Sequence, residues 1–332
     1  AQRHYVCYYT PDKLKIDGQA KEAVWQKAPW TEDFVDIEGD IRPRPLQRTR
    51  TRLLWDKENL YIYAELQETD LWGELRQHDT IIFRDNDFEV FIDPDNDTHN
   101  YFELEINALG TVMDLFLAKP YKTGGRAVMG WDTHGLQSAV HHSGTMNKPG
   151  DTDGGWSVEM AIPLASIRFF GENKFPDDST LWRINFSRVE WDKDVVGGRY
   201  VHRVDSATGR RLPEHNWVWS PQGLVDMHMP EKWGYLSFST KAAGEGTADF
   251  VLPESEIARR YLWEVYYRQR KYRMEHGVYA LDLAGLGMSS KAGAAYKLEM
   301  EATTRQYTAT IKGGGLPAML MIDNDGKVGE VR

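Results

Sequence analysis

From about residue 12 to residue 238 the chain alternates hydrophobic and polar positions in short runs, the period of half-buried strands. Leu14-Lys15-Ile16 leads into the tight-turn pair Asp17-Gly18. Residues 20–27 switch to helical spacing and set Trp25 on the apolar side. Residues 52–55 and 59–66 read as a hairpin across Asp56-Lys57-Glu58. Further strands are predicted at 88–93, 99–107, 111–117, 156–162 and 182–190, punctuated by Gly, Pro, Asn and Asp. Many short strands with one early helix predict an all-β antiparallel β-sandwich, jelly-roll-like in outline.

The pattern changes after Phe238. Residues 239–252 open small and polar, as a linker would. Residues 255–276 carry a helical stripe of Ile257, Tyr261, Leu262, Val265 and Tyr266, and Gly277 is placed to stop it. Residues 298–311 and 319–322 alternate again, around Gly313-Gly314-Gly315. The expected organisation is a sandwich over 1–238, a linker over 239–252, and a small C-terminal α+β appendage over 253–332. The appendage is expected to hold one helix and a small antiparallel sheet. Its arginine- and tyrosine-rich helix is the expected docking place for a protein partner.

Composition narrows the classes. The 332 residues carry 40 Lys+Arg against 50 Asp+Glu, a formal charge of −10, which argues against a nucleic-acid polyanion as main partner. No apolar run reaches the ~18 residues of a transmembrane segment. One cysteine, Cys7, excludes an intrachain disulfide framework, and an inert buried thiol is the expected role for it. The first residues, Ala1-Gln2-Arg3, lack a methionine and are read as following a removed export signal, so a secreted or periplasmic location is expected. The basic loop at residues 42–50 reads as a solvated edge. Twelve tryptophans supply rings suited to stacking on flat apolar ligand faces.

Strand parity carries the candidate chemistry. Phe88, Val90 and Ile92 oppose Glu89 and Phe91; Phe102, Leu104 and Ile106 oppose His99, Tyr101, Glu103, Glu105 and Asn107. Val158 and Met160 oppose Glu159, and Ile184 and Phe186 oppose Arg183 and Asn185. A face holding Glu89, Glu103, Glu105, Asn107, Glu159, Arg183 and Asn185 is either a polar face turned to water or a surface that grips hydroxyl-rich ligands. Asp93, Asp95 and Asp97 alternate before Asn100, but Thr98 and Leu104 break an EF-hand pattern, leaving a looser oxygen-ligand metal site or an acidic turn.

Four segments, in order, resemble the family 9 carbohydrate-binding module. They are Ile16-Asp17-Gly18 with Glu22-Ala23-Val24-Trp25; Leu54-Trp55-Asp56 with Leu60-Tyr61-Ile62; Asn86-Asp87-Phe88-Glu89-Val90-Phe91-Ile92-Asp93; and Trp219-Ser220-Pro221 with Pro230-Glu231-Lys232-Trp233-Gly234-Tyr235-Leu236. The resemblance covers residues 12–238 and implies a β-sandwich, often with structural calcium, that binds carbohydrate beside polysaccharide-degrading enzymes. It also implies a sugar clamp of two tryptophans, whose slots fall here on Phe83 and Met227. Trp72, Trp131 and Trp217 are alternative rings in nearby loops.

The expectation is therefore a carbohydrate-binding protein of polysaccharide utilisation. Its ligand residues would be Phe83, Glu89, His99, Tyr101, Glu103, Glu105, Asn107, Glu159, Arg183, Asn185, Trp72 and Trp217. The alternative is a glycoside hydrolase using Glu103 and Glu105, two apart on one strand face, as its catalytic carboxyl pair.

Overall fold

A computed structural model describes residues 2–168 and 175–331; position 1, on which the processing expectation begins, lies outside the described residues. The chain divides into two compact units, one comprising residues 1–95, 100–118 and 126–250, the other residues 96–99, 119–125 and 251–332.

The first unit is almost all strand. In chain order it contains β1 (His4–Tyr9), α1 (Ala23–Lys27), β2 (Val35–Asp36), β3 (Thr49–Trp55), β4 (Asn59–Leu66), β5 (Asp87–Asp93), β6 (Tyr101–Asn107), β7 (Val112–Leu117) and β8 (Ala127–Val128). It continues with β9 (Gln137–Ser143), β10 (Gly155–Pro163), β11 (Leu181–Glu190), β12 (Lys193–Val196), β13 (Arg199–His202), β14 (His215–Val218) and β15 (Gly234–Ala242). Among the described residues all but β12 and β13 join one 13-stranded sheet, ordered β8-β7-β6-β5-β11-β15-β1-β3-β4-β10-β9, with β14 and β2 attached beside β11. β12 and β13 form a separate hairpin.

This sheet corrects the expectation of purely antiparallel pairing. β1, which sequence reading passed over, enters the middle of the sheet and runs parallel to both β15 and β3. Its buried Tyr5 and Cys7 follow the period of two. Cys7 is fully buried, as an inert thiol would be. Leu53, Ile62, Val158 and Met160 from one half of the sheet share a core with Val90, Ile92, Leu104 and Phe186 from the other. The alternation of the sequence thus decides which side of each strand joins this apolar core.

Two motifs have local causes. Asp17 and Gly18 donate backbone N–H groups to Glu159 Oε2 at 3.0 and 2.9 Å, and Trp25 donates its indole N–H to Oε1 at 3.0 Å. Gly18 has φ +82°, and a Cβ there would lie 2.8 Å from the Val140 carbonyl carbon, so only glycine fits. A Cβ on Gly234 would run into the fully buried Trp219 ring and the Arg3 carbonyl.

The second unit holds α2 (Glu254–His276) and an antiparallel five-stranded sheet of β16 (Lys291–Ala292), β17 (Tyr296–Ala302), β18 (Tyr307–Gly313), β19 (Leu320–Asp323) and β20 (Val328–Glu330). Leu262, Val265 and Tyr266 of α2 pack with Ala309, Ile311 and Ile322. Gly277 ends the helix in the left-handed conformation, its N–H donating to the Arg273 carbonyl at 2.8 Å. No helix among the described residues is long and apolar enough to cross a membrane.

Gly234→Ala is expected to cost about 1–3 kcal/mol through forced overpacking against Trp219. Urea unfolding followed by tryptophan fluorescence checks this; an unchanged midpoint would show that the ring yields freely.

Candidate functional site

The polar face splits into two places. β5, β6 and β11 lie side by side, with Glu89 opposite both Glu105 and Ser187, and Phe91 opposite both Glu103 and Asn185. Glu159 stands on β10, in the other half of the sheet, opposite Tyr63 of β4. Its carboxylate is occupied by the 17–25 segment described above. The expected convergence of Glu159 with the other acids is therefore corrected: parity places a residue on a face but does not say which half of the sheet the strand joins.

The β5–β6–β11 face is covered by protein. Ile82 and Trp233 close over Phe91, Tyr101, Met113, Leu115 and Leu117 in a second apolar cluster, against which Met227 packs. Glu89, Glu103 and Glu105 are only 4%, 4% and 2% exposed. Phe83 donates its backbone N–H to Glu105 Oε2 at 2.9 Å while its ring stays partly exposed. Burial, then the Glu89 charge, pushes the Glu103 carboxyl up to about 8. Burial, then the neighbouring carboxylates, also raises Glu89 and Glu105 well above the usual carboxylate range.

The other predicted residues are held by the fold. Asn107 donates to the Leu75 carbonyl at 2.8 Å and to Asp85 Oδ2 at 2.9 Å, and accepts from Leu109 and Thr111 N–H groups, which knits the turn after β6. Asn185 exchanges two hydrogen bonds with the Ser220 backbone, both 2.9 Å. Arg183 donates to the Trp233 carbonyl at 3.0 Å and lies 4.0 Å over the Tyr235 ring. Tyr101 is fully buried, with its hydroxyl 3.0 Å from His228 Nδ1. Burial lowers His228 to about 4, so its ring is neutral near pH 7. Trp72 packs against Tyr200 and His202. Trp131 lies against Phe102. His99 groups with the second unit, where its N–H donates to Asp97 Oδ1 at 2.8 Å. Asp93 and Asp95 belong to the first unit and Asp97 to the second, where Lys327 Nζ is 3.3 Å from its carboxylate.

An open cleft lies elsewhere in the first unit. It has a volume of about 720 Å³ and is lined by Trp191 and Trp217 together with Arg44, Asp192, Lys193 and Asn216, among others. Of the predicted ligand residues only Trp217 lines it. Part of the loop 42–50, read from sequence as a solvated edge, forms one wall.

Behind the lining residues Gln47, Glu190 and Lys193 lies a buried charge network. Arg188, 1% exposed, donates to Glu68 Oε2 at 3.1 Å, to Glu190 Oε2 at 2.9 Å, to the Gln67 carbonyl at 2.8 Å and to Gln47 Oε1 at 2.9 Å. Its guanidinium sits 5.2 Å from the Trp217 ring centre, and Lys193 Nζ is 3.4 Å from Glu68. With a bond to Thr49 Oγ1 at 3.1 Å and a second to Glu190 at 3.1 Å, six hydrogen bonds engage all three nitrogens of the guanidinium, so the network holds it in place. Sequence reading missed it, although a signal existed. Arg188 and Glu190 continue the parity of Trp182, Ile184 and Phe186, so two charges stand where the period demands core.

The two acids divide their roles. Burial raises Glu68, but Arg188 and Lys193 outweigh it and hold Glu68 low. Burial, then the Glu68 charge, pushes Glu190 up to about 8. One carboxylate and one carboxylic acid then share the guanidinium near neutral pH.

With this geometry in hand, comparison with known proteins is specific about family. The model of the "Carbohydrate family 9 binding domain-like" family matches residues 16–211. The chain belongs to that family. No curated protein matches it. Among solved structures, it is similar to a candidate carbohydrate-binding protein from Bacteroides uniformis ATCC 8492, at 15% identity and TM-score 0.52, covering 72% of this chain and 100% of that one. It is also similar to a family 9 carbohydrate-binding module from Caldicellulosiruptor kristjanssonii in complex with cellotriose, at 16% identity and TM-score 0.46, covering 76% of this chain and 100% of that one. Mostly-β architecture and carbohydrate binding as a class follow from the family.

Glu190 binds its proton more tightly folded than unfolded, where a glutamate titrates near ~4.3. Its stabilising contribution is thus full below about pH 4 and is lost as pH rises through about 8. Wild-type urea midpoints are expected to fall between about pH 5 and 8.5, and Glu190→Gln, which mimics the protonated acid, is expected to flatten that fall. Parallel pH curves for the two proteins would show that Glu190 titrates normally.

Proposed function

We propose that this chain binds glycan in the cleft walled by Trp191 and Trp217, as a secreted or periplasmic carbohydrate-binding protein of polysaccharide utilisation. One observation carries the reading: in a family 9 member, two tryptophan side chains, 9% and 6% exposed, and several hydrogen-bonding side chains line one open cleft of about 720 Å³. A sugar presents axial C–H faces to aromatic rings and hydroxyls that both donate and accept. Asp192 and Asn216 accept such donors, and Arg44 and Lys193 donate in return. The shared core of the two sheet halves is read as a two-layer sandwich, which holds this cleft at one end.

The reading places the sugar away from the buried acids of β5 and β6. Glu103 and Glu105 lie under Ile82 and Trp233, and neither lines the cleft. A glycosidase needs both carboxyls beside the scissile bond. Glu103 and Glu105 are therefore not a catalytic pair for this cleft, and we read it as a binding site; its own acids, Asp36, Glu38, Asp70, Glu190, Asp192 and Glu214, are covered by the reducing-end measurement below.

The test is retention on a panel of immobilised plant and algal glycans, with new reducing ends measured in parallel. Wild type is expected to be retarded by at least one glycan and to release no reducing ends. Trp217→Leu, which keeps apolar bulk at the edge of the core, and Arg44→Ala, an exposed wall residue, are each expected to weaken retention about tenfold. Unchanged retention in both variants would remove the cleft from the account. Cleavage abolished by Glu103→Gln would replace the binder with a hydrolase.

A further inference from the structure

Arginine recurs at every second position where β3 begins. Arg50 and Arg52 lie on β3, and Arg48 just precedes it, where the Gln67 N–H still donates to the Arg48 carbonyl at 2.9 Å. All three stand on one side of the chain, opposite the side that sends Leu53 into the core. Residues two apart on a strand are about 7 Å apart, close enough for these charges to repel.

Two of the three are met by neighbours. Arg50 donates to Glu65 Oε2 at 3.1 and 2.8 Å and lies 3.9 Å over the Trp30 ring. Arg52 donates to the Trp25 carbonyl at 2.6 Å and lies 4.1 Å over the same ring. Arg48 is exposed, and its guanidinium forms no ion pair among the described residues. It also borders a hollow that holds Glu32 and Asp33, yet neither acid pairs with it.

Strand register builds a groove beside this third arginine. Arg50, Glu65, Ser157 and His141 form one row across β3, β4, β10 and β9. The next row runs from Arg48 through Gln67 and Gly155 to Ser143. Gly155 has φ +126°, and a Cβ there would lie 2.2 Å from the Leu66 carbonyl oxygen, so this row is bare at its centre. The resulting open groove has a volume of about 410 Å³. Arg48, Lys21 and His141 all line it, and neither Lys21 nor His141 forms an ion pair among the described residues. The one acid in the lining, Glu65, is already taken by Arg50. A chain of formal charge −10 thus gathers three basic side chains around a hollow that holds no uncompensated carboxylate.

We propose that this groove is a second carbohydrate subsite, which takes an acidic sugar through its carboxylate or sulfate group. Charge complementarity selects that class. Neutral hydroxyls are served by neutral donors and acceptors, whereas an oxyanion draws on a guanidinium fork and an ammonium charge. Arg48 and Lys21 meet the oxyanion, and Gln67 and Ser143 meet ring hydroxyls. The basic run at 42–50 is then divided between two sites, with Arg44 on the cleft and Arg48 on the groove. The proposal rests on the carbohydrate class of the family but not on the cleft.

The experiment titrates the full chain calorimetrically with trigalacturonate and with a sulfated galactose trisaccharide, each beside its uncharged counterpart, the methyl ester or the desulfated sugar. Salt is held at about 0.15 M, where diffuse attraction is screened beyond ~8 Å. Wild type is expected to bind at least one anionic probe, and its uncharged counterpart about tenfold more weakly. Which probe binds tells carboxylate from sulfate. Arg48→Gln combined with Lys21→Gln is expected to weaken that binding about tenfold and to leave retention of neutral glycans unchanged. Trp217→Leu is expected to leave binding of the anionic probe unchanged. Lys57→Gln, which removes an exposed charge outside the groove, is expected to do the same. The proposal is overturned if neither anionic probe binds, if the uncharged counterpart binds equally, or if the double variant binds undiminished. It is overturned equally if Trp217→Leu or Lys57→Gln weakens the anionic probe as much as the double variant does. Failure of neutral glycans to be retained would end the cleft reading and leave this test standing.

Discussion

The guanidinium of Arg188 is the interaction on which the cleft depends. It stands on the inner, otherwise apolar side of β11, where an uncompensated charge would cost several kcal/mol. Compensation comes from Glu190, two residues along the same strand, and from Glu68, the Gln67 carbonyl and Gln47, which are distant in sequence and are drawn to the same point. Because Gln47 and Glu190 line the cleft, satisfying Arg188 also fixes the loop that carries Arg44. Trp217 lies over the same guanidinium and inherits its position. Binding chemistry and fold stability are thus coupled at one residue. An Arg188 variant would disturb both, and for that reason it separates nothing.

The same physics organises the opposite side of β11. There Glu89 and Glu105 are buried with no ion pair to a lysine, arginine or histidine among the described residues, while Arg183 meets the Trp233 carbonyl and the Tyr235 ring. Within one sheet, then, one acid group is met by cations of the chain, and the other is held well above the usual carboxylate range by burial and by its neighbouring carboxylates. The two groups occupy opposite faces of β11 and its neighbours, so each can be altered with little direct effect on the other.

Much of the strand pattern was legible because a period of two is a local signal. The inward sets Phe88, Val90, Ile92 and Phe102, Leu104, Ile106 are buried as parity predicts. The helix of α2 and its glycine stop were legible for the same reason. What parity cannot carry is which strands become neighbours and what covers a face. Glu159 was grouped with Glu89 because both point away from their own strand's core, yet β10 joins the far half of the sheet. His99 precedes β6 by two residues, yet it groups with the second unit. The acids of β5 and β6 looked solvent-facing because nothing local announces that Ile82 and Trp233 fold over them. Trp191 was not singled out because its partners, Asn86 and Phe83, are about a hundred residues away.

The central claim is a location, and a crystal of the chain soaked with an oligosaccharide retained on the glycan panel tests it most directly. The account predicts sugar density against the Trp191 and Trp217 rings, with hydroxyls within hydrogen-bond distance of Asp192 or Asn216. Density seated instead over Phe83 and the β5–β6 acids, after displacement of the segments that cover them, would contradict it.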